Sequence, residues 1–293
     1  MNIIADPLQY EFFRHALLAA TLAGGLTGLV GVYVVLRRMS YIGHGLSHAV
    51  FGGAVVGHVL GAGFYLAAGV WGVGAALLVN VLARRRGIGA DAAIGIVTTA
   101  SFALGVALLS RGSGFERNLE AALFGNVLGV DGSDLAALAG TVVAVGLLVL
   151  LRHRRLALAT FDPEVAPVFG VPRLASDIVM ALILAATVIV TMNVLGVTLI
   201  AAAIVVPATV ARLVARSFAQ TLALGASVGT LTGVVGLYAS YYADAPSGAT
   251  IVLTGAALFA VVLTVAGVAG RARRLPRPQP AVAPVRRPGA ARP

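Results

Sequence analysis

Long apolar runs, separated by short polar segments, follow one another along almost the whole chain. A helix needs about 20 apolar residues to cross the hydrocarbon core of a bilayer. Nine runs are candidates, at residues 16–36, 46–61, 64–83, 92–110, 135–151, 175–194, 197–214, 221–241 and 249–268. The pattern predicts an all-α fold, a polytopic membrane helical bundle of about nine transmembrane helices, with eight or ten as the alternatives.

Two of the apolar segments are atypical. The run at 46–61 is short, rich in glycine and contains His48 and His58, which is typical of a broken or partly re-entrant helix that lines a cavity. The segment 119–129 is shorter still, and we expect it to lie at the membrane interface or to dip into the membrane.

The composition agrees with a single membrane domain. Of the 293 residues, 59% are apolar and 11% are charged, and the mean hydropathy is +0.97. We assign residues 1–270 to a transmembrane domain and predict that 271–293, rich in arginine and proline, form a disordered tail. Acidic and basic residues precede the first run, so we expect that span to remain in the mature protein.

Two residue types are absent, and each absence excludes a class of site. Without cysteine, a metal ion can be held only by nitrogen and oxygen ligands. All 21 basic residues are arginine, and the phosphate-binding loop of a P-loop ATPase requires lysine. We therefore expect no ATPase site in this chain; if ATP drives its activity, a partner must hydrolyse it.

The arginines predict how the chain crosses the membrane. With the N-terminus outside and nine spans, 18 of the 21 arginines fall on one side, which the positive-inside rule makes cytoplasmic. The other side receives only Arg14, Arg111 and Arg117. The arginines lie in small clusters rather than along one stripe, which argues against a nucleic-acid partner. The C-terminal tail and the segment 152–173 are therefore predicted to be cytoplasmic, and membrane lipid is the expected environment.

The first candidate for chemistry is a pair of histidines, His44 and His48. On a helix they share one face with side chains about 6 Å apart, near enough for both to bind one metal ion. A solvated surface pair, or a histidine packed against a carbonyl, fits the spacing equally well. His58 returns to within about 40° of the same face but about 15 Å further along the axis, so it is a relay position or a packed histidine.

A second candidate lies in the longest polar cytoplasmic segment. Asp162 followed by Pro163 is typical of a helix start, Glu164 is favourable in a first turn, and Gly170 is a helix stop. These residues predict a short helix on the cytoplasmic face, which is either an ordinary loop helix or a docking element for a partner protein. The polar residues Asn80, Asn126 and Asn193 are interpreted as hydrogen-bonded packing residues rather than parts of a path.

Six motifs in order resemble the permease subunits of the ABC importers that take up zinc, manganese or iron. They are Arg-Arg-Met-Ser with Leu-Ser-His-Ala (37–49), Asp-Ala-Ala-Ile-Gly-Ile (91–96), Leu-Phe-Gly-Asn-Val-Leu-Gly (123–129), Phe-Asp-Pro-Glu (161–164), Val-Val-Pro-Ala-Thr-Val-Ala-Arg (205–212), and Gly-Leu-Tyr with Pro-Ser-Gly-Ala-Thr (236–250). The resemblance implies a transporter subunit of the bacterial plasma (inner) membrane rather than an enzyme. It also implies two cytoplasmic ATPase subunits, a second permease copy and an extracytoplasmic metal-binding protein.

The resemblance assigns roles to both candidate sites. The family usually has Gly-Asp-x-Leu-Ser-His where this chain has residues 43–48, so His48 matches a metal ligand and His44 replaces the aspartate. An imidazole in place of a carboxylate favours transported zinc over manganese, and no permanently bound cofactor is implied. A two-fold axis would bring four imidazoles to one ion. The segment Asp162 to Gly170 becomes the element that docks in the ATPase.

Two other functions were weighed. A secondary, ion-coupled metal transporter would carry acidic residues inside its spans, whereas the aspartates here lie at predicted span ends or in loops. An intramembrane enzyme would need a nucleophile and a base, for which Ser47 and His48 are the only pair to consider. Neighbouring residues on a helix point about 100° apart, which disfavours that pair.

Overall fold

The computed structural model describes residues 5–83, 85, 87–110 and 123–273. Within these ranges the chain is helical, with nine α-helices and no strand. The helices are α1 (Glu11–Leu36), α2 (Ser40–Val59), α3 (Phe64–Ala83), α4 (Ala90–Leu109), α5 (Gly132–Phe161), α6 (Arg173–Leu195), α7 (Ile200–Val214), α8 (Phe218–Ala243) and α9 (Ser247–Arg273). The prediction of an all-α membrane bundle with about nine helices is confirmed.

Seven of these helices are long and apolar enough to cross a membrane; the exceptions are α2 and α7. The sequence predicts a run that starts at Leu46 and favours a broken or partly re-entrant helix. The predicted start is wrong, because α2 begins at Ser40, and the helix is unbroken. Glycine and histidine lower the apolar character of α2 without interrupting its backbone hydrogen bonds. Helix α7 has only 15 residues, with Pro207 inside it, and follows a non-helical turn at Gly196.

The centre of the bundle is built on close contacts between helix backbones. A β-carbon placed on Gly28 of α1 would lie 2.0 Å from the carbonyl oxygen of Gly225 on α8, and one placed on Gly24 would lie 2.2 Å from that of Gly229. Small residues let membrane helices approach in this way, where hydrophobic attraction between helices is weak. The abundance of glycine in the apolar runs is therefore explained by packing.

We expect Gly28→Ala to lower the free energy of unfolding by about 1–3 kcal/mol, because the new methyl group overlaps the backbone of α8. Gly74→Ala on α3 is the matched control, since a β-carbon there meets nothing within 4 Å. Denaturant unfolding in detergent micelles measures both variants. Equal stability of the two would contradict the packing described for α1 and α8.

Helix α5 sets the position of the polar segment that follows it. Its start is capped by the Asp131 carboxylate, which accepts a hydrogen bond from the Asp134 amide at 2.8 Å. That bond, together with the Ser133 hydroxyl, lowers the pKa of Asp131. With 30 residues α5 is about 45 Å long, more than the roughly 30 Å of hydrocarbon. Its last turns, which include Arg152, Arg154 and Arg155, therefore continue past the predicted apolar run.

The described part of the 119–129 segment is hydrogen-bonded to the turn between α6 and α7. Residues 127–129 form a 3-10 turn, and Leu123 O accepts hydrogen bonds from the Thr198 amide and hydroxyl. Asn126 and Asn193 both make structural hydrogen bonds, as predicted. Residues 119–122 lie outside the described residues, as do Arg84, Arg86, Arg111, Arg117 and 274–293; α9 extends to Arg273, three residues into the predicted tail.

Candidate metal site

Helix α2 places His44 and His48 on one of its faces, within its first three turns. Because α2 starts at Ser40, His44 lies about 6 Å and His48 about 12 Å from the start of the helix. His44 is exposed on the surface of this single chain, and His48 is half-buried. The pair is thus open on one side and enclosed on the other.

The two imidazole rings are close enough to share an ion. Their centroids are 4.7 Å apart and their planes make an angle of 85°. Zn–N bonds of about 2.0–2.1 Å place an ion about 3 Å from a ring centroid, so two rings on one ion stand about 5 Å apart. The edge-to-face contact of His48 with Phe102 of α4, at 4.9 Å, fixes the second ring.

Helices α2 and α4 approach closely at Gly45 and Gly52, before and after His48 along α2. A β-carbon on Gly52 would lie 2.1 Å from the Ser101 carbonyl oxygen, and one on Gly45 would lie 2.6 Å from the Ile94 side chain. This contact leaves a pocket of about 200 Å³, lined by Tyr41, His44, Gly45, His48, Gly95, Thr98, Thr99 and Phe102. A larger groove between α3, α5 and α6 is lined almost wholly by aliphatic side chains and offers no set of cation ligands.

The described residues place two histidines, and no third candidate metal ligand, at this pocket. No group of three or more histidine, aspartate or glutamate side chains with metal-binding geometry occurs among the residues that the structure describes. The Nδ1 atom of His48 is buried and has no hydrogen-bond partner there. A buried nitrogen without a partner costs about 1–3 kcal/mol, and a cation or a group from outside the chain would offset that cost.

Ser47 and His58 do not belong to this pocket. The Ser47 hydroxyl is fully buried and donates to the His44 carbonyl oxygen at 2.7 Å, so it is held on its own backbone. The structure thus agrees with the sequence argument against a Ser47–His48 pair. His58 is exposed in the last turn of α2, at the end of the helix away from His44.

The 162–170 loop differs from the predicted short helix. Helix α5 ends at Phe161, so Asp162 terminates that helix instead of starting a new one, and only Ala166–Phe169 form a single 3-10 turn. Pro167 explains the difference: an α-helix from Pro163 would need an amide proton at position 167 to reach the Pro163 carbonyl. The capping function survives locally, because the Asp162 carboxylate accepts from the Val165 amide at 3.3 Å.

The surface of this loop is apolar and unusually exposed. Val168 is 82% exposed and Phe169 is 69% exposed, and both lie in the 3-10 turn of the loop that follows α5. Gly170 ends the turn with a positive φ of 73°, as the sequence predicts. Exposed apolar side chains grouped on a polar loop are typical of a protein-docking surface.

The acidic side chains of the described helices lie near helix starts. Glu11, Asp91 and Asp134 are in first turns, and Asp177 follows in the second turn of α6. Asp134 accepts hydrogen bonds from Tyr65 of α3 and, at 3.3 Å, from Asn193 of α6. In the described part of the chain no carboxylate occupies the middle of a helix.

Three residues, His48, Arg37 and Asp134, make contacts that the sequence does not predict. Phe102 lies on a different helix from His48, and nothing in the sequence pairs them. Arg37 contacts Thr160 and Asp177, although its sequence context indicates only a charge at a span end. The hydrogen bonds of Asp134 with Tyr65 and Asn193 join residues far apart in sequence, so only a residue-pair signal across related sequences could have found them.

Comparison with known proteins gives consistent matches over most of the chain. The model of a family described as "ABC 3 transport family" matches residues 9–266. The chain is 35% identical over 254 residues to the manganese transport system membrane protein MntC of Halalkalibacterium halodurans, covering 87% of each chain. It is 31% identical to the chelated iron transport system membrane protein YfeD of Yersinia pestis, over 89% of this chain and 88% of that one.

A solved structure agrees with these sequence matches. PsaBC from Streptococcus pneumoniae, determined in complex with Fab, superimposes with a TM-score of 0.83 at 31% identity. The superposition covers 89% of this chain and 94% of the other. The helix arrangement described above is therefore shared by a solved protein of recognisable sequence similarity.

Proposed function

Because the chain belongs to the ABC 3 transport family, we propose that it is the membrane-spanning permease of an ATP-driven importer for a divalent transition metal, with His44 and His48 as a weak transit site. The observation that carries the proposal is the imidazole pair on α2, which faces a pocket and lacks a complete ligand set. Relatives named for manganese and iron transport support the substrate class.

The geometry suits a site that binds an ion and releases it. Two imidazoles from one chain give half of the four ligands that tetrahedral zinc takes. A second copy of the permease, related by a two-fold axis, would present its own pair to the exposed side of His44. A site as strong as a structural zinc site, roughly 10–16 kcal/mol, would hold the ion too tightly for transport. A ligand set shared between two chains can be separated by their relative movement.

We favour zinc over manganese as the transported ion. His44 is an imidazole nitrogen ligand, and manganese prefers carboxylate, carbonyl and water oxygens. The relatives named above carry manganese or iron in their names. The family resemblance implies an aspartate where this chain has His44, so this position is the one from which a different selectivity would arise.

The proposed assembly follows from the same features. Two cytoplasmic ABC ATPase subunits dock on the 162–170 loops and hydrolyse ATP, since this chain has no lysine for a P-loop. An extracytoplasmic metal-binding protein delivers the ion at the opposite face. The permease is a multi-pass protein of the bacterial plasma membrane with its C-terminus in the cytoplasm, as the distribution of arginine indicates.

Uptake into proteoliposomes tests this function. The vesicles hold the permease, its cognate ATPase and the metal-loaded binding protein, and isotopically labelled zinc, manganese and iron are compared with and without ATP. We expect ATP-dependent zinc uptake that stops when the P-loop lysine of the ATPase is replaced. Uptake driven by an ion gradient without ATP would support a secondary transporter instead, and no movement of any metal would refute the substrate class.

Changing the residue at position 44 tests the proposed selectivity. We expect His44→Asp to shift the ratio of zinc to manganese uptake toward manganese by about tenfold or more, because a carboxylate replaces a nitrogen ligand. The measurement is competitive uptake of the two labelled ions by the same vesicles. An unchanged ratio, with uptake intact, would show that His44 does not contact the transported ion.

A further inference from the structure

Arg37 joins the two ends of the 162–170 loop to α1. It follows the last residue of that helix, and its side chain is only 7% exposed. Its Nε donates to Thr160 Oγ1 at 3.0 Å, and its Nη1 lies 3.7 Å from Asp177 Oδ1. Thr160 belongs to the last turn of α5, before the loop, and Asp177 lies on α6, after it. One guanidinium therefore contacts the chain on both sides of the loop.

The contacts of Arg37 are incomplete for a buried charge. A guanidinium has five N–H donors, and burying it is costly unless they are satisfied. Here one partner is a neutral hydroxyl and the other is a carboxylate beyond hydrogen-bond distance. The Nη2 atom is buried without a hydrogen-bond partner in the described part of the chain, as is the hydroxyl of Tyr33. A side chain with an unused donor can exchange partners when its surroundings move.

A tight turn connects Arg37 with the helix that carries the histidines. Arg38 has a positive φ of 57°, and the Met39 amide donates to the Val34 carbonyl oxygen at 2.8 Å, which closes the end of α1 in a Schellman-type turn. Helix α2 begins at the next residue, and His44 lies in its second turn. Because this connection is short and hydrogen-bonded, a displacement of Arg37 must displace the start of α2.

We propose that Arg37 is a positioning residue that transmits movement of the 162–170 loop to the histidine pair on α2. This inference rests on the proposed function, because it takes the loop as the part that the ATPase moves. When nucleotide binding displaces the loop, Thr160 and Asp177 move with its two ends, and the guanidinium pulls on the turn before α2. The residue does not touch the ion.

The absence of cysteine provides a direct test of this coupling. Tyr41 lines the histidine pocket and is 53% exposed, so Tyr41→Cys gives a single labelling site there. The rate of maleimide labelling is measured in the permease–ATPase complex, without nucleotide and with ATP and vanadate trapped on the ATPase. We expect trapping to change the rate in this background, and Arg37→Lys to reduce that change by about threefold to 30-fold.

Two further variants separate coupling from folding. Arg37→Lys keeps the positive charge but loses the planar guanidinium group. Thr160→Val removes one hydrogen-bond partner and leaves Arg37 in place. Both variants should lose the labelling response to nucleotide trapping. Arg38→Lys, at an exposed neighbouring arginine, is the matched control and should retain it. If the Arg37 variant does not assemble, Thr160→Val decides the result.

The outcomes for the two proposals differ. A full labelling response in both Arg37→Lys and Thr160→Val would overturn the role of Arg37. The absence of any labelling response when Tyr41→Cys is the only substitution would overturn it as well. A normal labelling response, with no metal uptake by the chain that retains Tyr41, would instead refute the proposed function. We expect Arg37→Lys to lose the labelling response and, with Tyr41 retained, to transport fewer ions per ATP.

Discussion

Replacing His48 with alanine is expected to lower ATP-dependent zinc uptake by about 100-fold or more, since changes in the shell behind a metal ligand alone cost 10–100-fold. His48 is the enclosed member of the pair, and its buried Nδ1 has no other partner among the described residues. Without this ring the pocket retains one exposed imidazole per chain. Initial rates of labelled zinc uptake in the proteoliposomes described above measure the effect.

His58→Ala is the matched control for this prediction. His58 lies on the same helix but is exposed at its far end, outside the pocket. Its removal should leave uptake within about twofold of the unmodified chain, as is usual for exposed sites away from function. Equal losses in the two variants would indicate a general effect on α2, and normal uptake by His48→Ala would show that the ion takes another path.

A negative charge introduced at the exposed apolar surface of the 162–170 loop is expected to weaken binding of the ATPase to the permease. Phe169 is 69% exposed on the 3-10 turn, and Phe169→Asp would place a carboxylate in the apolar contact that we propose with the ATPase. Loss of a central apolar residue from an interface costs about 2–4 kcal/mol or more, which corresponds to roughly 30-fold to 1,000-fold in affinity. Co-purification of the ATPase with the tagged permease, and ATP-dependent uptake, should both fall by this order.

The control for the docking prediction is Val214→Asp. Val214 ends α7, is 57% exposed and lies outside the loop. The two variants introduce the same charge, so a nonspecific effect on solubility or insertion should affect both. Retention of the ATPase by Phe169→Asp would mean that the loop is an ordinary connection between α5 and α6.

The apolar pattern was sufficient to predict the helices but not all their ends. Runs rich in leucine, valine and alanine gave the order of the nine helices, because the bilayer requires continuous helices of predictable length. The start of α2 was missed, since Ser40, Tyr41 and His44 are polar residues that a hydropathy window excludes. The loop helix was missed because Pro163 favours a helix start, whereas Pro167 prevents the α-helical hydrogen bond that would follow.

The candidate site was predicted only where it depends on local geometry. The spacing of His44 and His48 determines that they share a face, and the structure places their rings 4.7 Å apart. The contact of Phe102 with His48 depends on how α2 packs against α4, and this packing cannot be predicted from a single sequence. The sequence indicates only that Arg37 is one of many arginines that determine the topology, because its burial beside Thr160 is visible only in the folded chain.

Zinc K-edge X-ray absorption on the assembled permease–ATPase complex tests the central claim most directly. We predict one bound zinc ion per two permease chains, with imidazole nitrogens at about 2.0–2.1 Å. The imidazole signal should fall in His48→Ala, which leaves only His44 in each chain, and should be retained in His58→Ala. A zinc environment without histidine, or one that His48→Ala leaves unchanged, would contradict the assignment of this pair as the transit site.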